Sequence, residues 1–141
     1  MDKGMLTTPL FSPLKKVTHP RGDIFHGLKK SDIGYSGFGE AYLTTIHFGE
    51  IKGWKKHKLM HMNLIVALGN VRFYVFDDRT SQCNHFDVGS ENYGRLSIPP
   101  GFWVAFTGLD PGINLILNIA NIEHDPREAE NLPIESFPLT L

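Results

Sequence analysis

The chain has 141 residues, and its 14 Lys and Arg nearly cancel its 15 Asp and Glu, for a formal net charge of −1. That length suits one domain with one continuous core, and the near-zero charge offers no whole-protein field to gather nucleic acid or an anionic membrane. The single cysteine, Cys83, excludes an intramolecular disulfide. An N-terminus without the long apolar core of a signal peptide, and apolar runs far shorter than the roughly 20 residues that cross a bilayer, predict a soluble, cytoplasmic protein.

Fourteen glycines and nine prolines, set between short β-branched and aromatic runs, predict an all-β chain. Residues 1–13 carry Gly4, Pro9 and Pro13 without periodicity and read as an N-terminal arm, followed by a single domain over 14–141. Strands are predicted at 14–17, 22–28, 40–48, 64–68, 70–77, 85–88, 94–98, 103–107 and 114–119. Between them lie turn signals such as Ser36-Gly37, Gly69-Asn70, Pro99-Pro100-Gly101 and Asp110-Pro111-Gly112. Eight or nine strands at this spacing fit a jelly roll or small barrel. Lys52 to Lys58 is the one dense basic cluster, and on composition alone it reads as a solvated loop. Asp125-Pro126 followed by Arg127, Glu128, Ala129 and Glu130 predicts a short C-terminal helical turn.

Two stretches carry the chemistry. In the first, Lys55 and His57 stand one residue apart, Met62 follows, and Gly69 closes a hairpin seven residues later; in the second, Pro99-Pro100-Gly101 precedes Val104 by three residues. This arrangement resembles the two motifs of the cupin jelly-roll barrel. In that family two histidines one residue apart, a glutamate and a further histidine point into the barrel and surround a metal. Here three of those four positions are Lys55, Met62 and Val104. An ammonium repels a divalent cation and His57 alone cannot hold one, so no metal and no cofactor are predicted. His61 and His47 are further barrel histidines, read as hydrogen-bonded rather than ligating.

From Arg21-Gly22 to Glu130 the chain resembles, more narrowly, the dTDP-4-dehydrorhamnose 3,5-epimerase-like cupins. With the related dTDP-sugar ketoisomerases, these modify nucleotide-linked 4-keto-6-deoxy sugars for bacterial surface polysaccharides. The resemblance rests on Arg21-Gly22, on Lys52-Gly53-Trp54 where the epimerases carry Arg-Gly-Leu, on Asp77-Asp78-Arg79, on Glu91-Asn92-Tyr93 and on Ile98-Pro99-Pro100-Gly101-Phe102. It implies a histidine base oriented by an acid, a tyrosine on the opposite face of the sugar, and a cation near the ketone that becomes an enolate. The family's base position falls on Lys55, its tyrosine position on Asn118, and the histidine of its second motif on Val104.

Lys55, His57 and Asn118 are therefore the candidate catalytic residues. An enclosed lysine beside Lys52 and Lys56 gives up its proton more readily, which lets Lys55 stand in as base with His57 as a second acid or base; the competing reading is that Lys55 pairs with a substrate phosphate or points to solvent. Asn114 and Asn118 lie an even number apart and so share a strand face, where their amides meet a sugar hydroxyl or ketone or are satisfied by backbone. Arg21, Lys52 and Arg72 are candidates to meet a pyrophosphate, Trp54 to stack on the base, and His61 to line the pocket. The leading function is a metal-independent nucleotide-sugar epimerase or isomerase. The alternative is a non-catalytic cupin that binds a sugar nucleotide and assists a partner enzyme. The resemblance further implies a homodimer, with the N-terminal arm suited to strand exchange.

Overall fold

The computed structural model describes residues 6–139. Twelve strands follow one another: β1 (Leu10–Pro13), β2 (Lys16–Val17), β3 (Ile24–Phe25), β4 (Glu40–Thr45), β5 (Ile51–His57), β6 (Met62–Leu68), β7 (Asn70–Asp77), β8 (Gln82–Gly89), β9 (Gly94–Ile98), β10 (Trp103–Gly108), β11 (Leu115–Ala120) and β12 (Ala129–Leu132). They form two five-stranded sheets, ordered β1-β9-β6-β11-β4 and β12-β5-β10-β7-β8, with β2 and β3 pairing as a small ribbon. Every strand pairing in the three sheets is antiparallel. The chain is thus the expected all-β jelly roll of cupin type.

Two apolar layers hold it together. The inner one lies between the sheets and includes Met60, Met62, Leu64 and Val66 with Val71, Phe73 and Val75, Leu96 and Ile98, and Val104 and Ile116. Alternation explains the selection, because residues two apart on a strand face the same side. The outer layer covers the second sheet: Trp54, Tyr74, Phe76, Trp103 and Ala105 pack under Ile134, Phe137 and Leu139 of the C-terminal segment. Phe137 stacks on Phe76 with centroids 4.0 Å apart and meets Trp54 edge-on at 5.4 Å, while Trp54 Nε1 donates to the Ile134 carbonyl at 3.0 Å.

Several expectations are corrected in detail. The basic run from Lys52 is no solvated loop: it is most of β5, paired with both β10 and β12, because its opposite face carries Trp54 into the outer layer. Of the N-terminal arm, residues 1–5 lie outside the described residues, and Leu10–Pro13 is β1, zipped onto β9. The expected 22–28 strand shrinks to Ile24–Phe25, and Asn114 precedes β11 rather than starting it. The C-terminal helical turn is a 3-10 turn, Pro126–Glu128, capped by Asp125 through Arg127 N at 3.0 Å.

The β5–β10 register carries the feature that matters most for the site. Val104 pairs with Lys55 and Phe106 with Lys52, so Ala105 alone opposes both Gly53 and Trp54. This bulge resets the alternation: Lys52 joins Lys55 and His57 on the inner face, where strict alternation would have turned it outward with Trp54.

Gly69, which closes the β6–β7 hairpin at φ 77°, is expected to be intolerant of a side chain. A methyl group there would meet Asn114 Oδ1 and the Ile113 carbonyl, in addition to the strain of a left-handed backbone. Gly69→Ala should lower the unfolding free energy by at least about 2 kcal/mol, measured by urea denaturation; an unchanged midpoint would contradict this account of the hairpin.

Candidate active site

Between the two sheets lies a cavity of about 240 Å³. β5 supplies Lys52, Lys55 and His57 on one side, and β4 and β11 supply Tyr42, Thr44 and Asn118 on the other. Leu64, Phe73, Phe106 and Ile116 form apolar walls. The polar groups therefore converge from opposing sheets onto a cavity with largely apolar walls.

His57 is 4 % exposed and Glu128 5 %, and His57 Nδ1 is hydrogen-bonded to Glu128 Oε1. The other carboxylate oxygen, Oε2, accepts the backbone amides of Lys58 (3.1 Å), Leu59 (3.0 Å) and Met60 (3.2 Å). Local sequence explains the placement. Asp125 and Pro126 start the 3-10 turn that ends at Glu128, and β12 then pairs with β5 so that Ala129 lies opposite His57. Burial pushes the Glu128 carboxyl up, but the amides of Leu59 and Met60 and the bond to His57 outweigh it and hold the group below the ordinary carboxylate range. An ionised carboxylate accepts the Nδ1 proton, which leaves the lone pair on Nε2 as the imidazole's reactive position in the cavity.

Across the cavity, Asn118 stands directly opposite Tyr42 in the β11–β4 register. Its Nδ2 donates to Tyr42 Oη at 3.0 Å and lies 3.9 Å from Met60 Sδ. Because the phenol oxygen accepts from Asn118, its own proton is available to a molecule in the cavity.

Sequence reasoning singled out nine site residues, and the structure gathers four of them here: Lys52, Lys55, His57 and Asn118. Lys52 Nζ donates to the Thr45 carbonyl at 2.8 Å, at the mouth. Lys55 is solvent-exposed, so it does not have the enclosed setting that a lysine base requires. The remaining five lie elsewhere. Trp54 alternates with Lys55 and so faces the outer layer. Arg72 forms a bidentate pair with Asp87, its cross-strand partner, at 2.7 and 2.9 Å. Arg21 is exposed on the turn between β2 and β3. Asn114 is a peg at the barrel end, its Oδ1 accepting from Asn70 N and Asp110 N and its Nδ2 donating to the Ile46 and Asp110 carbonyls. His61 is 1 % exposed, alternates with the inward-facing Met60 and Met62, and does not line the cavity.

Two participants were missed, Glu128 and Tyr42. Glu128 lies 71 positions from His57, and its one sequence signal was the predicted turn at Asp125-Pro126, whose acidic end invited a search for a basic partner. Tyr42 alternates with Glu40 and Thr44 in a predicted strand, a pattern that gave no reason to prefer it.

The four positions at which cupins hold a metal, Lys55, His57, Met62 and Val104, do converge on this cavity. They present an ammonium, an imidazole already tied to Glu128, a thioether and an alkyl group. This donor set does not fit a divalent cation. Among the described residues, no group of three or more His, Cys, Asp or Glu side chains comes together.

The fold defines a cupin-type jelly roll, and solved structures narrow the comparison. The chain is similar to a dTDP-sugar isomerase from Desulfovibrio desulfuricans G20, with 26% identity over 94% of this chain and 90% of that one and a TM-score of 0.87. It is also similar to QdtA, a sugar 3,4-ketoisomerase from Thermoanaerobacterium thermosaccharolyticum solved with TDP (20% identity, 89% of each chain, TM-score 0.74). A third is the dTDP-4-dehydrorhamnose 3,5-epimerase from Sulfolobus tokodaii (16% identity, 99% of this chain and 85% of that one, TM-score 0.82). These neighbours match the family that the sequence resembles. No family model matches the chain, and no curated protein matches its sequence.

His61 generates a pH prediction. Both ring nitrogens are buried without a partner among the described residues, and burial pushes the imidazole below its ordinary 6.5. The folded state therefore resists a proton that the unfolded state accepts, so stability is full above about pH 6.5 and falls as the pH drops below it. His61→Leu should flatten that acid limb and leave stability at pH 7.5 equal or higher, since no hydrogen bond of the ring is lost. Denaturation midpoints at pH 7.5 and 5.5 measure both, and an acid limb as steep as the parent's would rule the assignment out.

Proposed function

We propose that the chain is an epimerase- or isomerase-type enzyme that removes and returns a proton beside the ketone of a nucleotide-linked 4-keto-6-deoxy sugar. One observation carries this reading: an imidazole whose Nδ1 is held by a buried carboxylate, with a phenol proton available on the opposing sheet of the same cavity. In this mechanism His57 Nε2 takes the proton from the carbon next to the ketone, Glu128 stabilises the imidazolium, and Tyr42, aimed by Asn118, serves the other side of the ring as acid. Lys52 at the mouth meets the diphosphate. A protein that only binds a sugar nucleotide has no need of a carboxylate-oriented histidine, so the geometry favours an enzyme over a non-catalytic partner.

The mixed donor set at the four metal positions supports chemistry without a metal. Solved relatives support the substrate class: a variant of QdtA has been solved with TDP-4-keto-6-deoxyglucose and ChmJ, a 3'-monoepimerase from Streptomyces bikiniensis, with dTDP-quinovose. The sequence resemblance supports a place in bacterial surface polysaccharide synthesis.

The test is deuterium incorporation from D₂O into dTDP-4-keto-6-deoxy sugars, read by mass spectrometry. His57→Ala should slow exchange on the order of 10²–10⁴-fold. Glu128→Gln should do so on the order of 10³–10⁴-fold, because its amide donates to Nδ1 and places the ring proton on Nε2, the wrong tautomer for a base. Absence of exchange in the parent protein across a panel of 4-keto sugar nucleotides would overturn the reading. The same reading extends to a homodimer, supported by β1 lying at a sheet edge with β9 as its one partner strand. Light scattering on an eluting peak should give twice the chain mass, and a clean monomer would count against it.

A further inference from the structure

We infer that Asn118 chooses the carbon that reacts: its unpartnered amide oxygen takes the hydroxyl of the ring carbon held between His57 and Tyr42, which confines the chemistry to C3, the hydroxyl-bearing neighbour of the ketone. This rests on the proton-transfer reading of the site.

Asn118 is 2 % exposed and lines the cavity. Its Nδ2 is occupied, donating to Tyr42 Oη at 3.0 Å and lying 3.9 Å from Met60 Sδ. A thioether sulfur only accepts, so the amide nitrogen is the end that belongs there. The other end, Oδ1, is buried with no hydrogen-bond partner among the described residues. A buried acceptor left unfilled is destabilising, and only a donor relieves it. The cross-strand partner Leu64 and the same-face neighbour Ile116 carry no polar side-chain atom that could supply one. The last torsion of an asparagine side chain is broad, so a small turn of the amide brings Oδ1 onto a bound ring without releasing Tyr42.

The two carbons that flank the ketone of a 4-keto-6-deoxy pyranose differ in what they offer this oxygen. C3 carries a hydroxyl, which donates. C5 carries the methyl group and the ring oxygen, and neither donates. Because Nδ2 holds the phenol that serves the reacting carbon, Oδ1 of the same amide stands beside that carbon's own substituents. With C3 between His57 and Tyr42, the 3-hydroxyl fills the acceptor; with C5 there, the acceptor stays empty beneath a methyl group. When the C3–H bond breaks, the proton passes to His57 Nε2, its electron pair becomes the C3–C4 double bond, and the carbonyl π pair moves onto oxygen. Tyr42 then delivers its proton to C3 from the opposite face, which restores the ketone and inverts C3. Solvent returns a proton to the phenolate and takes one from the imidazolium.

The experiment follows solvent-deuterium exchange by proton NMR, which assigns the label to C3 or C5, in dTDP-4-keto-6-deoxyglucose and in its 3-deoxy and 2-deoxy analogues. The label should enter C3, with entry at C5 slower by at least about tenfold. The 3-deoxy analogue should fall on the order of 10²-fold in kcat/KM, because it leaves the acceptor unpaired, while the 2-deoxy analogue stays within about threefold of the parent sugar. Asn118→Leu should shrink the preference for the 3-hydroxyl by at least about tenfold, a change in ratio that lost packing alone does not produce. Faster exchange at C5, discrimination that falls on the 2-deoxy analogue instead, or a preference unchanged in Asn118→Leu overturns the assignment while the proton-transfer reading stands. If the parent protein exchanges no deuterium into any of the three, both fall together.

Discussion

The Glu128 carboxylate is the constraint on which the site is built. A buried charge is costly unless its lone pairs are filled, and here four donors fill them: three consecutive backbone amides, Lys58 to Met60, and the ring of His57. The loop between β5 and β6 is wound around one ion. That winding fixes where β5 ends and how Met60 enters the core, and it selects the tautomer that leaves His57 with a lone pair in the cavity. The ion is in turn delivered by the C-terminal segment, which Asp125 starts, β12 pins to β5, and Phe137 fastens to the outer aromatic layer.

The two sheets then have distinct duties. The sheet containing β5 brings the charged and titratable groups, and the facing sheet brings the neutral Tyr42–Asn118 pair across an apolar gap. Keeping Lys52 at the mouth and the dyad deep separates binding from chemistry. A diphosphate needs positive charge but tolerates water, whereas a carbanion-like transition state gains most where water is excluded.

Much of this was legible in the sequence, and the failures have physical causes. Gly69, the Pro99-Pro100-Gly101 turn and strand alternation gave the jelly roll, and the spacing of Lys55 and His57 aimed both into the barrel. What was not legible depended on contacts distant in sequence. Glu128 reaches His57 only because a terminal segment folds back beside β5. Asn114, Arg72 and Trp54 were plausible by residue type but are occupied by a turn, a cross-strand carboxylate and an aromatic layer respectively. Trp54 sits next to Lys55 and alternation already turns it outward; what alternation misses is Lys52, which the bulge returns to the cavity, and the strand glycine Gly53 is the one signal of that bulge.

That extra residue at Gly53–Trp54 makes the electrostatics of the cavity a matter of parity. With the bulge, Lys52 sits on the same face as Lys55 and His57; were the same residues to pair in strict alternation, Lys52 would face outward while Lys55 and His57 stayed where they are. Deleting Gly53 would leave one residue between Lys52 and Lys55, a spacing that a regular strand places on one face, so both lysines would stay in the cavity without a bulge. Among related barrels, the count of residues between these positions, taken together with the strand register, is therefore as informative about ligand charge as the residues themselves.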